Sequence, residues 1–311
     1  MKKTIGIAGL EEKNLKMLKK KFKLFKFLKL NDLNFFNDLK VDAIIIYREG
    51  RVASSLRKFF IKEKYFLFKN LKWFHLSRAG VDEYEPSFKK IKFILTCGKK
   101  LQGPNVSEHC IAMLLYLTRN LNSKNLNKEI IEIYNKKALI VGLGSIGISI
   151  AEKLNAFGVK VSAITLSSKP FYTFINKIYN SDALCKIVGE YDIVINSSAL
   201  TKITKNIFNQ KIFSKMKKKS YFINVSRGLI VNTSDLLKNI YKFSGVGLDV
   251  LDIEPVPKNH PLKKCKNVLL TNHTAGISDN LDRRFDLIFQ NLKLFKKNER
   301  LMNTVNLEEG Y

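Results

Sequence analysis

The run Ala138-Leu-Ile-Val-Gly-Leu-Gly-Ser-Ile-Gly147 constrains this chain more than any other. An apolar strand pattern runs directly into Gly142-x-Gly144-x-x-Gly147, and a helix pattern follows over residues 148–157. Glycines in that context predict a dinucleotide site. Gly142 permits the tight turn, Gly144 lets the backbone approach a pyrophosphate, and Gly147 lets the new helix pack close to the strand. The first N–H groups of the helix, aided by the positive end of its dipole, then face the phosphates; they belong to Ser145, Ile146 and Gly147. The competing reading is a glycine-rich turn in some other α/β unit, and the strand before and helix after weigh against it.

A length of 311 residues fits two domains, and 45% hydrophobic residues suffice for packed cores. No apolar run reaches the ~18 residues of a membrane span. The start, Met1-Lys-Lys-Thr-Ile-Gly-Ile-Ala-Gly, reads as a first strand and lacks a signal-peptide pattern, so a cytoplasmic location is expected. Cys97, Cys110, Cys185 and Cys265 are scattered with no CxxC spacing, which speaks for reduced thiols and against zinc or any other metal site. The net charge of +28 is mostly lysine spread along the chain. Asn, Ile, Phe and Tyr are abundant too, and all have AT-rich codons, so genome composition is a sufficient cause. Neither a nucleic-acid nor a membrane partner is expected. One consequence remains: a positive field favours anionic ligands.

Short strands alternate with helices along the chain. Strand patterns fall at residues 4–8, 42–47, 73–77 and 93–96, a lysine-rich amphipathic stretch at 14–26, and a helix at 54–60. Residues 105–118 predict a helix, capped by Asn105 or Ser107, that is apolar nearly all round and hence buried. Residues 120–127 read as a linker. Six further strands follow at 138–142, 160–164, 191–196, 221–225, 245–248 and 268–270, then an amphipathic helix at 279–298. This rhythm predicts a doubly wound parallel Rossmann domain.

Reactive groups follow three of these strands, where ligands sit in open α/β sheets. Asn224-Val-Ser-Arg227-Gly228 puts a planar guanidinium at a strand end, suited to a carboxylate. Leu248-Asp249-Val-Leu-Asp-Ile-Glu254-Pro255 ends a strand in acids, and Leu269-Leu-Thr-Asn-His273-Thr-Ala-Gly276 places a histidine before a small-residue turn. Each alone has a bland structural reading. Together they fit one mechanism, in which a carbonyl beside a carboxylate is bound, polarised and protonated while a hydride arrives. Arg227 would bind the carboxylate and the carbonyl oxygen, His273 would exchange the proton, and Glu254 would orient the imidazole and favour its charged form.

With these segments in order, the chain resembles the D-isomer-specific 2-hydroxyacid dehydrogenase family. The resemblance also rests on Ser77-Arg-Ala-Gly80-Val-Asp82, Gly103-Pro-Asn-Val-Ser-Glu-His109, Asp192-Ile-Val-Ile-Asn-Ser-Ser-Ala-Leu-Thr201 and the tail Val305-Asn-Leu-Glu-Glu-Gly-Tyr311. It implies that Arg227, Glu254 and His273 are the catalytic set, that Ala79 and Gly80 help hold the substrate carboxylate, and that Asp249 meets the nicotinamide amide. Ser198, Ala199, Val225, Ser226 and Ala275 are implied to line the cofactor. Arg48, at a strand end, is a further candidate for a second anionic group, beside the plainer reading of a solvent-facing arginine. The implied fold is a Rossmann domain (103–275) inserted into a smaller flavodoxin-like α/β substrate domain made from residues 1–102 and 276–311. A homodimer built partly on the long helix is also implied.

Two departures matter. Asn272 stands where the family usually has proline, which changes backbone stiffness near His273. The strand after the fingerprint ends Val161-Ser-Ala-Ile-Thr165-Leu-Ser-Ser168-Lys169, with no acid for a ribose 2′-hydroxyl. Thr165, Ser168 and Lys169 suit a 2′-phosphate instead, so NADP(H) is preferred, with NAD(H) the alternative. The motifs look most like the glyoxylate/hydroxypyruvate reductase branch. The alternatives are a phosphoglycerate- or lactate-type dehydrogenase, or a non-catalytic dinucleotide-sensing protein of the corepressor type.

Overall fold

The computed structural model describes all residues except 1, 31–39, 49, 52–53, 56–57, 59–69, 82–90, 122–128, 166–169 and 308–311. The chain divides into two compact units: Met1–Leu101 with Asp279–Tyr311, and Gln102–Ser278 between them in sequence. Among the described residues no helix is long and apolar enough to cross a membrane.

The first unit is built on five parallel strands, β1 (Lys3–Ala8), β2 (Phe25–Lys29), β3 (Ala43–Ile46), β4 (Trp73–Leu76) and β5 (Ile94–Cys97), with α1 (Glu12–Lys21) joining the first two. The order β2-β1-β3-β4-β5 is that of flavodoxin-like sheets. The lysine-rich stretch expected over 14–26 does not run as one helix. Helix α1 ends at Lys21, and Phe25 and Phe27 turn inward on a strand with alternating burial. The C-terminal helix of the chain (Asp282–Lys297) packs within this unit, with Ile288, Leu292 and Phe295 beside Ile5, Phe25 and Trp73.

The second unit has seven strands. They are β6 (Lys137–Val141), β7 (Lys160–Thr165), β8 (Lys177–Asn180), β9 (Ile193–Asn196), β10 (Tyr221–Asn224), β11 (Gly245–Leu248) and β12 (Val268–Leu270). All pair in parallel, in the order β12-β11-β10-β9-β6-β7-β8. Taking β6 as the first strand, this is the 3-2-1-4-5-6 Rossmann order with one strand added. Strand β8 was not among the six expected.

Strand period sorts the side chains onto two faces. Ala138, Ile140, Val161, Ala163 and Ile223 face one core with α2 (Gly103–Thr118) and α3 (Ser145–Ala156). Leu139, Val141, Val194, Phe222 and Val246 face the other, with Phe208, Phe213, Leu236 and Ile240. Helix α2 lies close over β11 because Gly247 has no side chain; a Cβ there would sit 3.1 Å from Met113 Cε.

The expected cap of α2 is not formed. The helix starts earlier, at Gly103, with Pro104 in its first turn, where a missing N–H costs nothing. Ser107 instead donates to the Pro104 carbonyl, and the Asn105 amide donates to the Ala275 carbonyl at 3.1 Å.

In the first unit, the Trp73 indole donates to Thr96 Oγ1, which also contacts His75 Nδ1, both at 2.8 Å. His75 is fully buried, and among the described residues its Nε2 has no partner. Burial, and secondarily the Arg284 charge, push His75 from 6.5 down to about 3. Between those values the unfolded chain binds the proton and the folded one does not. The neutral ring's contribution is therefore complete above pH 6.5 and is lost as pH falls toward 3, by at most about 1.4 kcal/mol per pH unit. Urea unfolding between about pH 7.5 and about pH 5 should cost wild type about 2 kcal/mol more than His75→Asn. Equal losses in the two proteins would remove His75 as the cause.

Candidate active site

The fingerprint occupies the point where the strand order reverses, between β6 and β9. Gly142 has φ 98°, open to glycine and strained for other residues, and a Cβ on it would lie 2.4 Å from the Ser198 backbone. A Cβ on Gly147 would lie 2.1 Å from the Gly142 carbonyl oxygen, so only glycine allows α3 to start this close to the strand. Gly144 faces open space, with nothing within 4 Å of a Cβ. That opening, above the first N–H groups of α3 at Ser145, Ile146 and Gly147, is a cradle that fits a pyrophosphate. Ser197 Oγ donates to the Gly142 carbonyl at 2.7 Å and holds the turn from β9.

Next to the fingerprint, the ends of β9 and β10 are tied by buried amides. Asn196 Nδ2 donates to Asn224 Oδ1 at 2.9 Å, and Asn224 Nδ2 donates to the Arg227 carbonyl at 3.1 Å. Asn196 Oδ1 accepts from Ser198 Oγ, and Asn224 Oδ1 from the Ser226 N–H. The Ser226 hydroxyl closes the gap by donating to the Ser198 carbonyl. Both amides are fully buried, and every side-chain nitrogen and oxygen of the pair is used. Ala199 and Val225 lie in the same two turns; the Ala199 carbonyl accepts from Thr204, and the Val225 N–H donates to the Asn196 carbonyl. Sequence reading missed this ladder, although an asparagine closing each of two neighbouring strands was a visible signal.

Arg227 follows β10 in extended backbone, with Nη1 donating to the Ser226 carbonyl at 2.9 Å. Glu254 and His273, nineteen residues apart, meet because β11 and β12 are neighbours: His273 Nδ1 lies 2.8 Å from Glu254 Oε2. Glu254 Oε1 accepts from the Leu251 N–H, which fixes the carboxylate plane. His273 is in left-handed backbone with φ 54°. Asp249, expected near the nicotinamide, is only 2% exposed. Its carboxylate accepts from Thr271 Oγ1 at 2.5 Å, the Thr274 N–H at 2.9 Å and the Ala275 N–H at 3.1 Å.

Thr165 ends β7, the neighbour of β6, while Ser168 and Lys169 lie outside the described residues. Arg48, Ala79 and Gly80 belong to the first unit. Arg48 pairs with Glu11 at 3.1 Å, and Ala79 and Gly80 follow β4. Among the described residues no cluster of side chains is arranged to hold a metal.

The family model described as D-isomer specific 2-hydroxyacid dehydrogenase, NAD binding domain, matches residues 111–275, more than half of the chain. A glyoxylate reductase of Thermofilum pendens is 35% identical over 57% of this chain, although the match spans only 53% of that protein. A glyoxylate/hydroxypyruvate reductase A of Photorhabdus laumondii is 29% identical over 67% of this chain and 69% of its own length. An NADPH-dependent glyoxylate/hydroxypyruvate reductase from Sinorhizobium meliloti, solved in complex with NADP and sulfate, superposes with a TM-score of 0.81 at 21% identity, covering both chains fully. The chain belongs to the D-isomer specific 2-hydroxyacid dehydrogenase family, whose members are NAD(P)-dependent oxidoreductases.

The glycines make separable predictions. Gly147→Ala drives a methyl into backbone and should destabilise the unit by about 1–3 kcal/mol or more, whereas Gly144→Ala meets nothing and should leave the melting temperature near wild type. In a dye-free binding titration Gly144→Ala should still lose affinity for the dinucleotide. A Gly144→Ala protein that binds like wild type would show that the opening is not the phosphate cradle.

Proposed function

We propose that the chain reduces a small 2-oxoacid, glyoxylate or hydroxypyruvate, to the 2-hydroxyacid, with NADP(H) preferred. The observation that carries this reading is the 2.8 Å contact between His273 Nδ1 and Glu254 Oε2, at the same sheet edge as the glycine turn. Because Nδ1 is engaged by the carboxylate, Nε2 is the ring nitrogen left to give a proton to the substrate carbonyl oxygen. Glu254 holds the ring in the orientation from which it gives that proton. Arg227, whose backbone is held by Asn224, binds the substrate carboxylate through its planar fork and polarises the carbonyl.

Residues 142–147 would hold the pyrophosphate, and Thr165 with Ser168 and Lys169 would meet a ribose 2′-phosphate. Ser198, Ala199, Val225, Ser226 and Ala275 would line the remainder of the cofactor. The bound cofactor supplies the hydride. The NADP(H) preference is supported by the neutral Thr165 at the end of β7, where an NAD-specific site has an acid.

Steady-state rates with glyoxylate, hydroxypyruvate and pyruvate, each with NADPH and NADH, test the reading. Turnover of the first two with NADPH is expected. A preference for NADH would overturn the cofactor assignment, and no turnover on any 2-oxoacid would favour a sensing role. His273→Ala should lower kcat/KM by about 10²- to 10⁴-fold while cofactor affinity holds; retained activity would end the acid–base assignment. We further propose a homodimer built partly on α2, which light scattering should show as twice the 35.8 kDa chain mass; a monomeric mass would dismiss it.

A further inference from the structure

The turn that carries His273 is not held by its own sequence. Its residues are small or polar, proline is absent before the histidine, and His273 sits at φ 54°, a conformation that costs a non-glycine residue of order 1 kcal/mol and persists only where surroundings over-determine it. The surroundings come from two directions. From β11, Asp249 receives the Thr274 and Ala275 N–H groups and the Thr271 hydroxyl on its carboxylate, and the His273 N–H on its carbonyl at 2.8 Å. From α2, Asn105 Nδ2 donates to the Ala275 carbonyl at 3.1 Å, and His109 Nε2 lies 3.1 Å from Thr271 Oγ1 and 3.5 Å from Asp249 Oδ1.

Asn105 and His109 are four residues apart, one above the other on a single helix face. They therefore grip the two ends of the turn, residues 271 and 275, from one rigid element. The hydrogen-bond roles can be assigned. Thr271 has one hydroxyl proton, which goes to Asp249 Oδ1 because a buried carboxylate can only accept. Its oxygen must then accept from His109, so His109 Nε2 carries a hydrogen and donates. The same Nε2–H faces the Asp249 carboxylate, which is 2% exposed and has no lysine or arginine paired with it among the described residues.

We propose that His109, with Asn105, is a positioning residue: from α2 it clamps Thr271 and Asp249 and so fixes the turn that aims His273 at Glu254 and the substrate. The proposal rests on His273 being the acid–base group. Displacing such a group by a fraction of an ångström lowers the rate of the chemical step and leaves cofactor contacts at the glycine turn as they were.

Three substitutions at His109 separate donation from bulk. His109→Gln keeps an N–H donor, His109→Ala removes it, and His109→Glu offers only acceptors to Thr271 and Asp249. With saturating NADPH and glyoxylate, kcat should stay within about threefold of wild type for His109→Gln, fall about 10- to 100-fold for His109→Ala and fall further for His109→Glu. The NADPH dissociation constant, read by fluorescence without substrate, should change several-fold less than kcat in His109→Ala and His109→Glu, because most of the cofactor lining lies outside the clamped turn. Melting temperature checks that each protein is folded, and Asn105→Ala should reproduce the His109→Ala pattern in milder form. If His109→Ala keeps wild-type kcat, or if NADPH affinity falls as far as kcat, the clamp is refuted. If His273→Ala itself stays active, the parent reading fails instead, and the two failures are told apart by that variant.

Discussion

Buried polar side chains at the ends of three neighbouring strands hold the C-terminal edge of the second unit's sheet together. Asn196 closes β9, Asn224 closes β10 and Asp249 follows β11, all nearly or fully buried. A parallel sheet delivers every strand C-terminus to one edge, but it fixes nothing beyond the last ladder bond. The loops that leave the edge must find other partners for their N–H and C=O groups. Here the amides and the carboxylate supply them: Asn196 serves the Ser197–Ser198 turn, Asn224 serves Arg227, and Asp249 serves the turn at His273. Leaving one of these groups unpaired would cost about 1–3 kcal/mol and free the loop it holds.

The buried strands were readable from sequence because burial on both faces leaves continuous apolar runs, as in Ala138–Val141 and Ile193–Ile195. The two missed strands, β2 and β8, are both edge strands. With one neighbour and a half-exposed surface, Phe25–Lys29 keeps two lysines, and Lys177–Asn180 is partly polar throughout. The amphipathic stretch read over residues 14–26 ended inside this strand, because Lys26 continues the lysine pattern of α1. The start of α2 was misjudged for a related reason. Asn105 and Ser107 are good caps by residue type, but Asn105 turns toward Ala275 and the helix begins at Gly103, with Pro104 in its first turn.

The residues that the sequence singles out by type at strand ends, the glycines, Arg227, Glu254 and His273, lie along one edge of the sheet, and Glu254 and His273 meet there. Residues that act through these were not singled out. His109 looks from sequence like one polar position on an apolar helix, and only the packing of α2 against β11 brings it to Thr271. The glycines that permit that approach, Gly245 and Gly247, read in sequence simply as small residues in a strand.

The topology also locates some of the lysines behind the +28 charge. Lysine is the first residue of β6, β7 and β8, and parallel pairing gathers these three lysines at the strand N-termini of the second unit, opposite the glycine turn. A five-residue strand such as β6 is about 16 Å long, and the Debye length at physiological salt is about 8 Å. Those three lysines are therefore roughly two screening lengths from the C-terminal edge and add little to the potential there. At the edge itself the Arg227 guanidinium and the open N-terminus of α3 are the groups placed to attract an anion, and these three lysines belong to the far end of the sheet.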